Sequence, residues 1–400
     1  MLARHAARCE AVHEFFMTGS DDVNDNERRM ALDIDYKLPP PVRTDFAIGV
    51  VGAGFVLREL QLKAYRNAGF RTVAIASRTP EIAREVGDLY GIPKVYDTVA
   101  ELLGDPEVEI VDVAVPPDQQ LSVIREVARH ASHVRGVLVQ KPLALTYAEA
   151  VEIVRLCRDS GIRLAVNQNM RFDQSIRALK SLLTKGYLGE PVLATIDMRA
   201  VPHWQPWIRQ YSRLTLLNMS VHHLDCFRYL FGEPESVYAS VRPSPRILFP
   251  HQDGICLYIL EYANGLRVAA CDDTYAGPGD CKDDVDSYIK WRVEGTEGLA
   301  QGWLGWPEYP NRAPSRLEFS SRREPGLWQS PRWREVWFPD AFEGPMGALM
   351  DSVARNVESE ISGGDNLHTM ALVEACYASV ERHRPVSPRE FEAVAEIGDH

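Results

Sequence analysis

Between residues 46 and 168 the chain alternates continuous apolar runs with stretches whose apolar positions recur every three and four residues. The runs FAIGVV (46–51), FRTVAIAS (70–77), VEIVDVAV (108–115), GVLVQ (136–140) and IRLAVNQ (162–168) have the continuity of strands buried on both faces. Between them, EIAREVGDLYG (81–91), LSVIREVARHA (121–131) and TYAEAVEIVRLCRDSG (146–161) carry helical spacing. The last of these opens with Thr146 and Glu149 in capping-box positions and closes on Gly161. Repeated β/α units of this kind predict a parallel sheet.

After residue 170 the pattern changes. RFDQSIRALKSLLTKG (171–186) reads as a helix leaving the first domain. Strands follow at 190–200, 235–243, 254–273, 287–304 and 315–321, with Asn264-Gly265 between two alternating runs as a hairpin signal. Helices over 346–361 and 366–383 complete the pattern. There is no internal repeat and no low-complexity tract. The fold class this predicts is an α/β Rossmann-type domain over 45–169 plus an α+β domain over 170–390 built on a large, mostly antiparallel open sheet. Residues 1–44 read as a mobile extension, polar at SDDVNDNERR and proline-rich at LPPPV, and 391–400 as a tail. The first seventeen residues make a poor secretory signal; they suit an amphipathic helix, or translation from Met30.

Composition narrows the class. The net charge of −12 over 400 residues argues against nucleic-acid or anionic-membrane partners. No apolar run approaches the ~18 residues of a membrane span. Seven cysteines, an odd number without a CxxC pair, suit buried thiols in a reducing cytoplasm and not a structural zinc site.

Candidate chemistry begins at Gly52-Ala53-Gly54, which follows the first apolar run and precedes a helical pattern. Gly52 permits a tight turn, Gly54 lets the backbone approach a pyrophosphate, and the helix offers free N–H groups, although the third position of GxGxxG is Leu57. Lys141, past the strand at 136–140 and beside a proline, lies where open α/β sheets bind ligands. Its alternative is a solvated loop lysine. In LNMSVHHLDCFRYLFGEP (217–234), Asn218, His222 and Asp225 share a helical face and His223 points a quarter-turn away. A histidine there can relay a proton, oriented by the amide or carboxylate, or it can be a hydrogen-bonded core histidine. A metal reading lacks third and fourth ligands.

Together, GAGFV (52–56), AVPPDQQ (114–120), QKPLALTYAEA (140–150), NQNMRFDQS (167–175) and NMSVHHLDCFRYLFGE (218–233) resemble the Gfo/Idh/MocA family of sugar and polyol oxidoreductases. The resemblance covers roughly residues 46 to 390. It carries the lysine of the family's EKP motif to Lys141 and the histidine of DxGxHxxD to His222, with Asn218 in place of the aspartate and Ser220 in place of the glycine. Gln140 replaces the EKP glutamate and Gln120 the histidine usual after PPxx. By resemblance, Gly52, Gly54, Phe55, Val56, Pro116, Pro117, Gln120, Gln140, Lys141 and Asn169 contact the cofactor, and a homo-oligomer forms through the open sheet.

These readings imply an NAD(P)-dependent dehydrogenase or reductase moving a hydride between nicotinamide and a secondary hydroxyl or ketone of a sugar, inositol or related polyol. Lys141, His222 and Asn218 are its catalytic candidates, with Lys141 and His222 handling the proton. Arg171, in the expected cleft, and His203 and Trp204, in the polar-aromatic loop VPHWQPW, join Lys141 and His222 as substrate contacts; Trp204 and Trp207 also suit a core or interface. Where an NAD-binding carboxylate is expected after the strand at 70–77 stand Ser77 and Arg78, which favours NADP(H) over NAD(H). Two alternatives stay open: a redox-neutral sugar-modifying enzyme that recycles a bound cofactor, and a non-catalytic nucleotide-binding sensor or scaffold, motivated by Gln140 and Asn218.

Overall fold

Hydrogen bonds join the apolar runs of the first half into a parallel sheet, as burial on both faces requires. The computed structural model describes residues 33–37, 40–130, 133–201, 205–278 and 286–392. Among them the first sheet consists of β1 (Ala47–Val51), β2 (Arg71–Ala76), β3 (Lys94–Tyr96), β4 (Ile110–Val113), β5 (Gly136–Val139) and β6 (Arg163–Val166), in the order β3-β2-β1-β4-β5-β6. The order reverses between β1 and β4, the switch point beyond which such sheets bind ligands. β3, only three residues long and at the sheet edge, leaves no apolar run in the sequence.

A π-helical turn, Val56–Gln61, leads from β1 into α1 (Leu62–Ala68). The helices α2 (Pro80–Tyr90), α3 (Val99–Leu103), α4 (Pro117–Arg129) and α5 (Tyr147–Asp159) follow in the connections. The capping box expected at α5 is present: Thr146 Oγ1 accepts from the Glu149 amide at 3.3 Å, and the Glu149 carboxylate accepts from the Thr146 amide at 3.2 Å. An equivalent box, Thr98 with Glu101, starts α3.

The second sheet runs β13-β12-β11-β7-β10-β9-β8, comprising β7 (Pro191–Arg199), β8 (Ser236–Arg242), β9 (Ile255–Glu261), β10 (Arg267–Asp273), β11 (Tyr288–Gly295), β12 (Gly298–Trp303) and β13 (Arg316–Ser321). Its pairings are antiparallel except for β7 with β10. Asn264-Gly265 does turn β9 into β10, with Gly265 at φ +90°. Cys256, Tyr258 and Leu260 face inward while Leu257 and Ile259 face out, the alternation of a sheet with one open face. The inner face is covered by helices that include α6 (Gln174–Thr184), α7 (Val221–Phe231) and the late helix α9 (Gly363–Arg382).

Late residues also return to the first sheet. α8 (Glu343–Arg355) lies on β5 and β6, and a Cβ on Gly136 would stand 2.7 Å from Val353 Cγ2. The Ile361 carbonyl accepts from the Val166 amide at 2.8 Å, extending the edge of β6. The helix expected over 346–361 stops early, because Asn356 takes the left-handed conformation at φ +56°.

Asp35–His400 forms one unit, and residues 35–37 and 40–44 are fastened within it. The Asp35 amide donates to Ser181 Oγ at 3.0 Å, the Val42 amide to Asp351 Oδ1 at 2.7 Å, and the Tyr36 ring packs on Trp333. Residues 1–32, 38 and 39 of the segment read as a mobile arm, the end of the tail, and Cys9 and Cys281 fall outside the described residues. The five described cysteines are free thiols, and no described helix is long and apolar enough to cross a membrane.

Candidate active site

The turn after β1 explains its two glycines separately. Gly52 sits at φ +115°, and a Cβ there would strike the Ala114 carbonyl oxygen at the end of β4. Gly54 has nothing within 4 Å of where its Cβ would be, so the backbone is open to a dinucleotide pyrophosphate. Leu57, in the third position of the motif, is fully buried in the π-helical turn and packs as core. Phe55 is half-buried and meets the Tyr309 ring edge-on, while Tyr309 donates to Glu59 and accepts from Lys63 Nζ at 3.0 Å. Beyond β2, Ser77 is half-buried and Arg78 exposed, both at the carboxyl end where an adenosine ribose would lie.

Lys141 lies two residues past the end of β5 and is joined to Pro142 by a cis peptide bond. Its Nζ donates to the Asn218 carbonyl oxygen at 2.5 Å, and burial without a counterion pulls its pKa from the usual lysine range down to about 7. His222, in the first turn of α7, is 6 % exposed and held well below the usual imidazole range by burial, then by the Lys141 charge and by His223. Its Nδ1 has no hydrogen-bond partner among the described residues, and its ring meets Trp337 edge-on at 6.2 Å. A desolvated lysine beside a neutral histidine can accept or donate a proton near neutral pH.

The residues around this pair are held from the second sheet. Leu216–Ser220 forms a π-helical turn before α7, a distortion common at functional sites, and it brings the Asn218 carbonyl to Lys141. The Ser220 hydroxyl donates to Asp272 of β10, which also meets His223 Nδ1 at 2.9 Å and the Tyr258 hydroxyl at 3.1 Å. His223 thus anchors the helix to the sheet and leaves His222 to the site.

Amide side chains fill the floor beside Lys141. Gln140 Nε2 donates to Gln61 Oε1 at 2.9 Å, and Gln61 Nε2 donates to Asp112 Oδ2 at 2.7 Å. Asn169 Nδ2 donates to Asn167 Oδ1 at 3.3 Å, and the Trp337 indole N–H donates to Asn169 Oδ1 at 2.9 Å. Asp112 is fully buried in β4, and burial raises its pKa to about 7. The sequence carried a sign of it: an aspartate flanked on both sides by apolar residues in IVDV. Trp337, in PRWREVWFPD, gave no such sign because no periodic pattern surrounds it.

Several expected residues are engaged elsewhere. Arg171, expected at the substrate, is buried with its guanidinium on Asp225 at 2.6 and 2.7 Å, on Asp365 at 2.7 Å and on the Glu360 carbonyl at 2.6 Å, which makes it a structural cation. Asp225 is therefore not the group that orients His222, and Asn218 contributes its backbone carbonyl to Lys141. Gln120 is fully buried and donates to the Pro142 carbonyl at 2.8 Å, bracing the Lys141 turn from below. Asn169 is 3 % exposed within the amide floor. Pro116 and Pro117 start α4. His203 and Trp204 lie outside the described residues. Among the described residues no group of three or more His, Cys, Asp or Glu side chains is placed to hold a metal ion.

Comparison with known proteins places these features in context. A model described as oxidoreductase family, NAD-binding Rossmann fold, matches residues 46–168, and a GFO/IDH/MocA C-terminal domain model matches 176–301. The chain is 28 % identical over 352 residues to a D-apiose dehydrogenase of Rhizobium rhizogenes, covering 86 % of this chain and 97 % of that one. Among solved structures it is similar to an oxidoreductase from Agrobacterium radiobacter in complex with NAD+, L-tartaric acid and magnesium (24 % identity, TM-score 0.74, 87 % of this chain and 99 % of that one). It is also similar to levoglucosan dehydrogenase in complex with NADH (17 % identity, TM-score 0.73, 86 % and 99 %). At these identities the two structures speak for the fold.

Proposed function

Because the chain belongs to the Gfo/Idh/MocA oxidoreductase family, with its NAD-binding Rossmann fold, we propose that it oxidises a secondary hydroxyl of a sugar or polyol, or reduces the corresponding ketone, with Lys141 handling the proton. The observation that carries this reading is a buried lysine amine past the carboxyl end of β5, held on the Asn218 carbonyl without a counterion, where burial pulls its pKa down to about 7. The nicotinamide, when bound, supplies the hydride chemistry. Gly52 and Gly54 fit a dinucleotide: the first makes the turn, and the second leaves the backbone bare where phosphates approach.

In the oxidative direction neutral Lys141 takes the hydroxyl proton, and the Asn218 carbonyl holds the resulting ammonium. His222, kept neutral by burial, hydrogen-bonds the same substrate oxygen and fixes which carbon faces the cofactor. In the reductive direction the Lys141 ammonium is the acid. Ser77 and Arg78 suit a ribose 2′-phosphate, which supports NADP over NAD. A sugar-like substrate agrees with the D-apiose dehydrogenase named above. The outward face of the second sheet, where Leu193, Tyr238, Leu257 and Ile259 are each more than a third exposed, is the surface we assign to self-association.

The test is nicotinamide absorbance against a panel of sugars, inositols and polyols, run with NAD and NADP in parallel. Lys141→Ala is expected to lose about 10²–10⁴-fold in kcat while still binding cofactor. Cofactor binding without an absorbance change for any substrate would count against a dehydrogenase.

A further inference from the structure

Asp112, Gln61, Gln140, Asn167, Asn169 and Trp337 form one line of hydrogen bonds whose direction is fixed at both ends. Asp112 Oδ2 accepts from Gln61 Nε2 at 2.7 Å and from the Tyr65 hydroxyl at 2.8 Å. Its Oδ1 has no partner, and with two donors converging on Oδ2 that oxygen is the acceptor of the pair. The Gln61 amide NH2 is thereby committed to Asp112, and Gln61 Oε1 is left facing residue 140. Whatever stands at 140 must donate to it. Gln140 does so through Nε2 at 2.9 Å, and its own Oε1 accepts from Asn167 Nδ2 at 3.5 Å, the loosest link. At the far end the Trp337 indole can only donate, and it does, to Asn169.

We propose that Asp112 is a positioning residue for the nicotinamide end of the site, acting through Gln61 to fix the hydrogen-bond direction at position 140 and so to demand an amide there. A glutamate at 140, the residue that stands before the lysine in the family's EKP motif, would set a carboxylate oxygen against Gln61 Oε1. The same change would place a negative charge next to Lys141. The glutamine is therefore the partner, through Gln61, of the buried aspartate. The line reverses when position 112 donates: an asparagine there can present either its oxygen or its NH2, and where residue 140 is an acceptor its NH2 goes to Gln61 Oε1 while Gln61 turns its own NH2 toward residue 140. This rests on the assignment of Gln140 and Lys141 to the nicotinamide site.

The test is a double-mutant cycle on the full chain, read by NADPH or NADH fluorescence titration and by thermal midpoint, neither of which needs turnover. Gln140→Glu is expected to weaken cofactor binding by about tenfold or more, since a buried acceptor loses its donor. Asp112→Asn alone keeps an acceptor oxygen toward Gln61 and stays within about threefold of the parent. The double variant is expected to recover affinity to within about threefold, the hydrogen bonds being remade in the opposite sense. Unchanged affinity in Gln140→Glu, or a double variant no better than that single one, overturns the proposal. So does a double variant that regains its thermal midpoint but not its cofactor affinity, because that outcome describes a merely structural contact. If Gln140→Glu does not fold, Gln61→Leu cuts the same link without a new charge, and parental cofactor affinity in that variant overturns the proposal equally. Absence of turnover with every polyol, with this cycle behaving as described, would remove the dehydrogenase reading and leave the positioning role standing.

Discussion

Two buried polar networks occupy the interior beside the candidate site, and they are built from opposite materials. One is ionic: Arg171, Asp225, Asp365 and Arg228 interlock, with Arg228 on Asp365 at 3.0 Å and the Arg171–Asp225 pair almost wholly buried. The other is made of amides, running from Gln61 through Gln140 and Asn167 to Asn169, with its one carboxyl at the far end from Trp337. Ion pairs fix helices strongly, but any unpaired charge they contain would reset the protonation of a neighbour. Amides fix geometry by direction alone. The chain uses ions where nothing needs to titrate and amides beside Lys141, where a fixed charge would raise a pKa that burial has brought to about 7.

This contrast can be broken at either side. The largest effect is expected from Arg171→Met, which leaves Asp225 buried and short of its main partner; it should cost about 3–5 kcal/mol in urea unfolding while the pH dependence of turnover stays as it was. A shifted pH profile would mean that the ionic network does reach the site. Next comes the pH dependence itself. With Lys141 titrating near 7, alcohol oxidation should rise about tenfold per pH unit below that value and level off above it, and ketone reduction should do the reverse. Stability has a matching signature: between pH 7 and the ordinary lysine value of 10.5 the unfolded chain holds a proton that folded Lys141 has released, so stability rises with pH across that window. A flat rate profile from pH 5 to 9 would sink the assignment of Lys141. The smallest effect belongs to Asn169→Ala, about 1 kcal/mol in thermal unfolding, because an uncharged hydrogen bond to Trp337 is lost and no charge is stranded.

Much of the frame was legible in the sequence because it rests on short-range rules. Continuous apolar runs gave five strands of the parallel sheet, and Asn264-Gly265, the Thr146 box and Gly52 each announced a local conformation that the structure adopts. β3 escaped because an edge strand of three residues buries too little to need a pattern. At the candidate site, Lys141 and His222 were singled out by position and resemblance, and the structure brings them near one another, whereas the partners of Arg171 were not legible, since nothing local tells a cleft arginine from one paired 54 and 194 residues away. The same holds for Gln61 and Trp337. Their roles arise from contacts across the fold, and only Asp112, an acid inside an apolar strand, betrayed its neighbours by being out of place.

The return of α8 to β5 and β6 bears on how the chain comes to be folded during synthesis. The cover of the parallel sheet is written more than 170 residues after the strands it protects, so a ribosome must carry β5 and β6 with one flank wet until Glu343–Arg355 has emerged. Gly136 is small for the sake of Val353, a residue that does not yet exist when Gly136 leaves the exit tunnel. A fragment ending after β6 would therefore present an apolar flank to solvent and to its own copies. The part of the protein whose motif is easiest to recognise is the part least suited to being expressed by itself.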